Sequence, residues 1–326
     1  MRELAETARQ WAAQGRTGFL VRPLTERGFG PRRPADALLI DEDGHCHGTL
    51  YGGAFDAYLA AEAAALPADH TAGVREVSVH DDEVKRAGLT CGGHAEVLLQ
   101  SLHTVPARWW DLLADGTDAA LITRLDEART RAAGTVTAPG PEADGGPAEA
   151  VERARELLSR RRTGRDIRPT DDGLILIETF PAVPHLVIVG GGELAELLAR
   201  QARLLDWHAT VESAAEDAVR LLAQRPAAAC LIVLSHEPDV DVPVLSAALT
   251  TGVPYVGALG SRHTQDRRAA DLAKAGLDEE LLGRIHGPIG LDLGARTPAE
   301  TALAICAEVL AALDAREVRV LRDASA

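Results

Sequence analysis

The sequence predicts an α/β protein with a doubly wound parallel sheet over its C-terminal part and a smaller N-terminal α+β domain. Three observations carry this. From His185 onward, short apolar runs alternate with amphipathic stretches of roughly ten to fifteen residues, the pattern of βαβ units. The first of these runs ends in Gly190-Gly191-Gly192-Glu193-Leu194-Ala195, a glycine-rich turn that opens a helix. The length, 326 residues, suits two domains at about 100–200 residues each.

Each element has a local reason. Leu186–Val189, Ala209–Val211, Cys230–Leu234 and Tyr255–Ala258 are short and largely apolar, as strands buried on both faces must be. After the first strand, Leu194, Leu197, Leu198, Ala202 and Leu205 recur at helical spacing and give one face to bury. The segment Gly287–Asp292 leads to the last helix, Pro298 to Leu313: Thr297 caps it, Pro298 takes its first position and Glu300 closes a capping box. In the first half, Ala37–Asp41, Val74–Val79 and Ala95–Leu99 read as short strands between turn clusters. Leu174–Ile177 reads as a further strand of that half's sheet, which puts the domain boundary near Pro184, with domains at 1–184 and 185–326. Gly134 to Ala148 has too few apolar residues to offset the entropy of ordering and is expected to be a mobile segment. An internal echo at a spacing of 146 residues aligns Glu6, Ala8, Arg9, Arg16, Thr17, Gly18, Arg22 and Pro23 with Glu152, Ala154, Arg155, Arg162, Thr163, Gly164, Arg168 and Pro169. Chance in a chain rich in Ala and Arg and a duplicated helix-turn unit both account for it.

Composition narrows function. With 34 Lys+Arg against 49 Asp+Glu, the net charge of −15 opposes neutralising the phosphates of a nucleic acid. Cys46, Cys91, Cys230 and Cys306 lie far apart, two of them in apolar runs, so no disulfide framework is expected. The first residues carry no apolar leader, and the longest uncharged stretch, Val242 to Ser261, is broken by Pro243, Pro254 and three glycines. A soluble, cytoplasmic, reduced protein without a membrane span is expected.

Chemistry concentrates after the strands. Gly190 permits the tight turn, Gly192 lets a phosphate approach backbone, and Glu212, at the end of the second strand, stands where a carboxylate meets a ribose diol. This supports an NAD(P)-dependent oxidoreductase, yet Glu193 repels a pyrophosphate and no Tyr-x-x-x-Lys supplies a proton donor. The same turn also occurs in Rossmann-like modules that bind nothing. Ser235 and His236 follow the third strand; Gly260, Ser261, Arg262 and Arg267 follow the fourth. Together they offer N–H groups, hydroxyls and cations to an anion, unless the arginines pair with Asp266 or Asp271. In the first half, Gly52-Gly53 and Cys91-Gly92-Gly93 are either ligand approaches with a reactive thiol or two tight turns with an inert one. His45 and His47 flank Cys46 but supply only two ligands on one face, short of a zinc set.

The segments Leu186–Ala195, Ile232–Glu237, Tyr255–Arg267, Pro288–Asp292 and Thr297–Glu308 resemble the XdhC/CoxI family, accessory factors that mature xanthine dehydrogenase, carbon monoxide dehydrogenase and related molybdenum hydroxylases. The two glycine pairs and Cys91 match more loosely. The resemblance implies a carrier and not an enzyme. It would bind the molybdenum cofactor (molybdopterin), protect it while a cysteine desulfurase partner supplies sulfur, and deliver it to the hydroxylase; a homodimer is implied as well. The chain departs from the family in three places. It has Gly190-Gly-Gly-Glu193 where Gly-Ala-Gly-His is usual, Glu212-Ser-Ala214 for Asp-x-Arg, and Asp56 for the glutamate that closes Gly-Gly-x-x-Glu.

Overall fold

The structure, a computed structural model, describes residues 1–28, 36–79, 92–138, 146–161, 163–314 and 318–319. It divides into two compact units, Met1–Pro181 and Ala182–Ala326.

The first unit runs α1 (Arg2–Ala13), β1 (Gly18–Gly28), β2 (Ala37–Asp41), β3 (Cys46–Thr49), α2 (Asp56–Ala64), β4 (Ala72–Val79), β5 (Gly93–Ser101), α3 (Ala107–Ala114), β6 (Ala119–Asp126), β7 (Ala132–Thr137), α4 (Ala148–Ser159), β8 (Gly164–Thr170) and β9 (Gly173–Phe180). Its strands form two sheets, β3-β2-β1-β5-β4 and β7-β6-β9-β8, with antiparallel pairing throughout. The strand anticipated at Leu174–Ile177 belongs to the second sheet, between β6 and β8.

The first residues of the segment anticipated as mobile form a strand. Residues 134–137 belong to β7, pairing Gly134 with Thr123 and Val136 with Leu121. Ala132 and Val136 are buried, and at Gly134 a side chain would meet the Thr104 carbonyl oxygen at 2.6 Å. Alternating burial and a close backbone passage outweigh the glycine content here. Residues 139–145 of that stretch lie outside the described residues. The echo falls on equivalent elements: α1 then β1, and α4 then β8, start 146 residues apart. Their settings differ, since β1 is central in its sheet and β8 is an edge.

A polar cluster lies inside this unit. Arg22 on β1, fully buried, pairs with Glu178 on β9 and donates to Gln100 Oε1 on β5 (2.6 Å) and Thr123 Oγ1 on β6 (3.0 Å). It joins the two sheets through charge-assisted bonds, as a buried guanidinium must.

The second unit runs β10 (His185–Val189), α5 (Glu193–Leu204), β11 (His208–Glu212), α6 (Ala215–Gln224), β12 (Ala229–Val233), α7 (Pro238–Thr250), β13 (Tyr255–Ala258), α8 (Arg262–Lys274), α9 (Glu279–Leu282), β14 (Ile285–His286) and α10 (Pro298–Leu313). The sheet is parallel throughout, in the order β11-β10-β12-β13-β14. Leu186 and Ile188 pack with Leu198 of α5 and Ile305 and Val309 of α10. Val187 and Val189 pack on the opposite face with Leu222 of α6, Leu245 of α7 and Leu272 of α8. Helices therefore cover both faces, which is why the strands are continuous apolar runs. Among the described residues, no helix is long and apolar enough to cross a membrane; the uncharged stretch from Val242 is most of α7, a turn and β13.

Candidate functional site

The strand order reverses between β10 and β12, the switch point at which open α/β sheets hold ligands beyond the carboxyl ends of their strands. Backbone bonds stitch these ends together. Leu234 and Ser235 both donate to the Val189 carbonyl (2.8 and 3.2 Å), Leu259 donates to Val233 (2.8 Å) and Gly190 to the Glu212 carbonyl (2.9 Å). Gly190 has φ +121°, and a Cβ there would sit 3.1 Å from the Ser235 amide nitrogen. Its glycine thus lets two loops touch. Gly192 (φ +87°) precedes α5 without a side-chain cap, and nothing lies within 4 Å of where a Cβ would stand on Gly191 or Gly192. The first amides of α5 therefore open on free space, with the exposed Glu193 beside them. Glu212 pairs with Val189 in the β10–β11 register, at the tip of the edge strand.

Beyond β13, Ser261 caps α8: its Oγ accepts from the Thr264 amide at 3.3 Å and lies 3.1 Å from Thr264 Oγ1. Ser235 Oγ accepts from the Glu237 amide at 3.1 Å. The Ser235 hydroxyl keeps its own hydrogen to donate, and Ser261 does so when Thr264 Oγ1 is the donor between them. Gly260 (φ +132°) lies against Thr264. Arg262, Arg267 and His236 are exposed, and among the described residues neither arginine makes an ion pair. Asp271 pairs with Lys274 instead. A groove beside His236, Thr264 and Arg267 holds only about 10 Å3, too small for an organic cofactor to sink into.

Arg268, which sequence reasoning passed over, organises this end. It is buried, pairs with the buried Asp241 of α7 (2.8 Å), and donates to the carbonyls of Ser235 (3.1 Å) and Leu259 (3.2 Å) and to Gln265 Oε1 (2.7 Å). One side chain thereby ties the β12 loop, the β13 loop and α7. The signal was its spacing: Arg268 is one turn before Leu272, on the face of α8 that must be inside.

In the first unit, Tyr51, Gly52 and Gly53 are three successive left-handed residues (φ 53°, 65° and 84°). Tyr51 is held there by burial and by its hydroxyl donating to Glu26 Oε1 at 2.6 Å, while both glycines are exposed. Asp56 opens α2 facing Gly53, with its Oδ1 buried and unpartnered among the described residues. Burial pushes its carboxyl above the ordinary value, against a backbone hydrogen bond from Leu50. Gly93 starts β5 and pairs with Gly28 of β1, where a side chain would run into the Gly92 carbonyl. This close approach is made by a neighbouring strand. Cys91 lies outside the described residues.

The thiols of Cys46 and Cys306 are poor nucleophiles. Burial first, then Asp56 and Asp41, push the Cys46 thiol up; burial takes Cys306 to about 11. Asp41, Asp43 and His45 converge, but the Asp41 carboxylate already accepts from the His45 amide (2.7 Å), the Asp43 amide (3.0 Å) and Arg16 (2.9 Å). Although burial opposes it, those bonds hold Asp41 below its ordinary value. The group is a satisfied turn.

A parallel sheet with its second strand outside the first, a glycine turn at the switch point and an arginine loop after the fourth strand defines a Rossmann-type α/β domain. Residues 186–309 match the family model of the XdhC Rossmann domain, and residues 11–78 match that of the XdhC and CoxI family. The chain belongs to the XdhC and CoxI family. It is 27% identical over 182 residues to the Escherichia coli protein YqeB, covering 49% of this chain and 34% of that one. It is 37% identical over 79 residues to the Escherichia coli molybdenum cofactor insertion chaperone PaoD, covering 24% and 25%. The chain thus spans about a third or less of these relatives. A Bacillus halodurans protein described as a xanthine dehydrogenase has the same fold, with TM-score 0.62 at 19% identity over 97% of this chain and 96% of that one.

Proposed function

We propose that the chain is an accessory protein that binds the molybdenum cofactor, shields it while a cysteine desulfurase supplies sulfur, and delivers it to a molybdenum hydroxylase of the xanthine dehydrogenase or carbon monoxide dehydrogenase type, acting as a homodimer and not as an enzyme. Membership of the XdhC and CoxI family and the likeness to PaoD support the reading. The observation that carries it is at the switch point. An uncapped helix start with open space over Gly191 and Gly192 shares one sheet end with two arginines that have no ion partner among the described residues.

The residues fit the phosphate end of such a cofactor. The first amides of α5 donate to an oxyanion, Arg262 and Arg267 supply cations about two strand spacings away, roughly 10 Å, and the Ser261 hydroxyl adds a donor. Arg268 holds the two loops in register while they do so. Glu193 opposes an anion at the α5 end, which shifts weight to the arginines. The cofactor brings its own dithiolene-bound metal; the raised thiol of Cys46 makes it a weak partner for that end.

The test is pterin content. Chain purified from a molybdate-fed host, its pterin oxidised to the fluorescent form, is expected to carry close to one pterin per chain. Arg262→Ala is expected to weaken retention about tenfold, the loss of one charge-assisted bond. Absence of pterin together with tight NAD(H) binding, for which Glu212 would serve the ribose, would overturn the carrier.

A further inference from the structure

We propose that the edge of β4 left unpaired among the described residues accepts an extended, basic segment of a partner protein as an added strand. This goes beyond cofactor handling and rests on the first unit alone.

β4 ends its sheet. Ser101 of β5 donates to the Thr71 carbonyl, and Ala72 donates to the Thr130 carbonyl on the other side, both at 2.9 Å. These two bonds fix the parity of the strand: Gly73, Arg75 and Val77 bond to β5, and Val74 and Glu76 turn their amides and carbonyls outward. The outward row lies in a groove of about 400 Å3. Leu66 and Pro67 wall it on the Gly73 side, where Leu66 packs against Gly73. Arg129 and Thr130, from the turn between β6 and β7, wall it on the other. A slot bounded on both faces admits one slender strand. A second copy would bring its own walls and collide with these.

Charge selects the occupant. Glu76 stands directly opposite Glu96 in the narrow, non-hydrogen-bonded pairing of β4 and β5, a repulsive placement. Glu96 is compensated by Arg129 (2.6 Å) and the Thr25 hydroxyl (2.9 Å). Among the described residues, Glu76 has no ion pair. A lysine or arginine on the incoming strand opposite Glu76 completes the set, and the chain's net charge of −15 favours approach of a basic segment. The edge also carries a guard. Arg75, paired with Glu62 on α2, covers the Val74 carbonyl with its own Nη1 at 3.0 Å, a common way of blocking unwanted strand pairing. Strand addition must open this contact.

The test selects linear peptides from a phage-displayed library on the immobilised full chain, then measures one enriched peptide by fluorescence anisotropy. Enrichment of lysine or arginine at alternate positions is expected. Val74→Pro removes only an outward amide, so the fold is kept, and should weaken the peptide at least tenfold. Arg75→Ala should tighten it about threefold by freeing the carbonyl; a site that used Arg75 to hold an anion would weaken instead. Glu76→Lys, which leaves the backbone alone, should switch the selected peptides to acidic ones. The proposal is overturned by failure to enrich any peptide family, by binding indifferent to both Val74→Pro and Glu76→Lys, or by a concentration-dependent dimer of the chain that Val74→Pro dissolves.

Discussion

Arg22 is the most consequential single charge in the first unit. In the sequence it sits in a strand-like stretch, Leu20-Val21-Arg22-Pro23, and period-two alternation does not separate a solvent-facing arginine from one aimed between two sheets. The partners that make it tolerable inside, Glu178, Gln100 and Thr123, lie 156, 78 and 101 residues away, so no local pattern could reveal them. Arg22→Ala leaves Glu178 buried with its principal cation gone. It is expected to cost about 3–5 kcal/mol, read as a lowered urea midpoint with an unchanged slope. Arg268 follows the same physics with one difference: its spacing from Leu272 puts a charge on an inward helix face, and that conflict was visible in advance. The position of Arg262 and Arg267 just beyond a strand end was legible because they follow the apolar run of β13 directly.

Elements were easiest to read where both ends are chemically marked. The capping box forms as the spacing of Thr297 and Glu300 required, with the Thr297 hydroxyl accepting from the Glu300 amide and the Glu300 carboxylate from the Thr297 amide. Composition misled at residues 134–137 because it reports the average cost of ordering, while a few inward residues such as Val136 decide pairing. The other end of α10 carries something no motif announced. Glu308 accepts from the Tyr255 hydroxyl (2.8 Å), His286 Nδ1 (3.0 Å) and the Gly290 amide (2.6 Å), clamping Gly287–Asp292 to α10. Burial pushes this carboxyl up, but the bonds from His286, Gly290 and Tyr255 prevail and hold it below its ordinary value of 4.5. A depressed carboxylate stabilises the fold above its unfolded-state value and loses that contribution as pH falls through the folded one. Glu308→Gln is therefore expected to lower stability by about 1–3 kcal/mol at pH 7. The gap to the wild type should narrow as pH falls below the ordinary value of 4.5, as followed by thermal unfolding across that range.

At the scale of the whole molecule, the parallel sheet was legible and its strand order was not. Alternating strands and helices dictate βαβ units, but which strand flanks which depends on crossovers that leave no mark in composition. The first unit hid more, because each of its two sheets, β1–β5 and β6–β9, pairs strands that are not neighbours in sequence, β1 with β5 and β6 with β9. What the packing does establish is independence of cores. Among the described residues, each buried apolar cluster draws its residues either from Met1–Pro181 or from Ala182–Ala326. Either length exceeds the roughly 60 residues at which a single core becomes marginal. In the second unit, the sheet has helices on both faces, so its strands do not rely on the first unit for cover. Residues 182–326 produced alone are thus expected to fold, with a single cooperative thermal transition and the near-ultraviolet circular dichroism of a packed Tyr255. The full chain should then show two calorimetric transitions, one shared with the fragment. A fragment that unfolds without cooperativity, or that exposes apolar surface to a hydrophobic dye at neutral pH, would show that the clusters around Leu186 and Val187 are insufficient on their own.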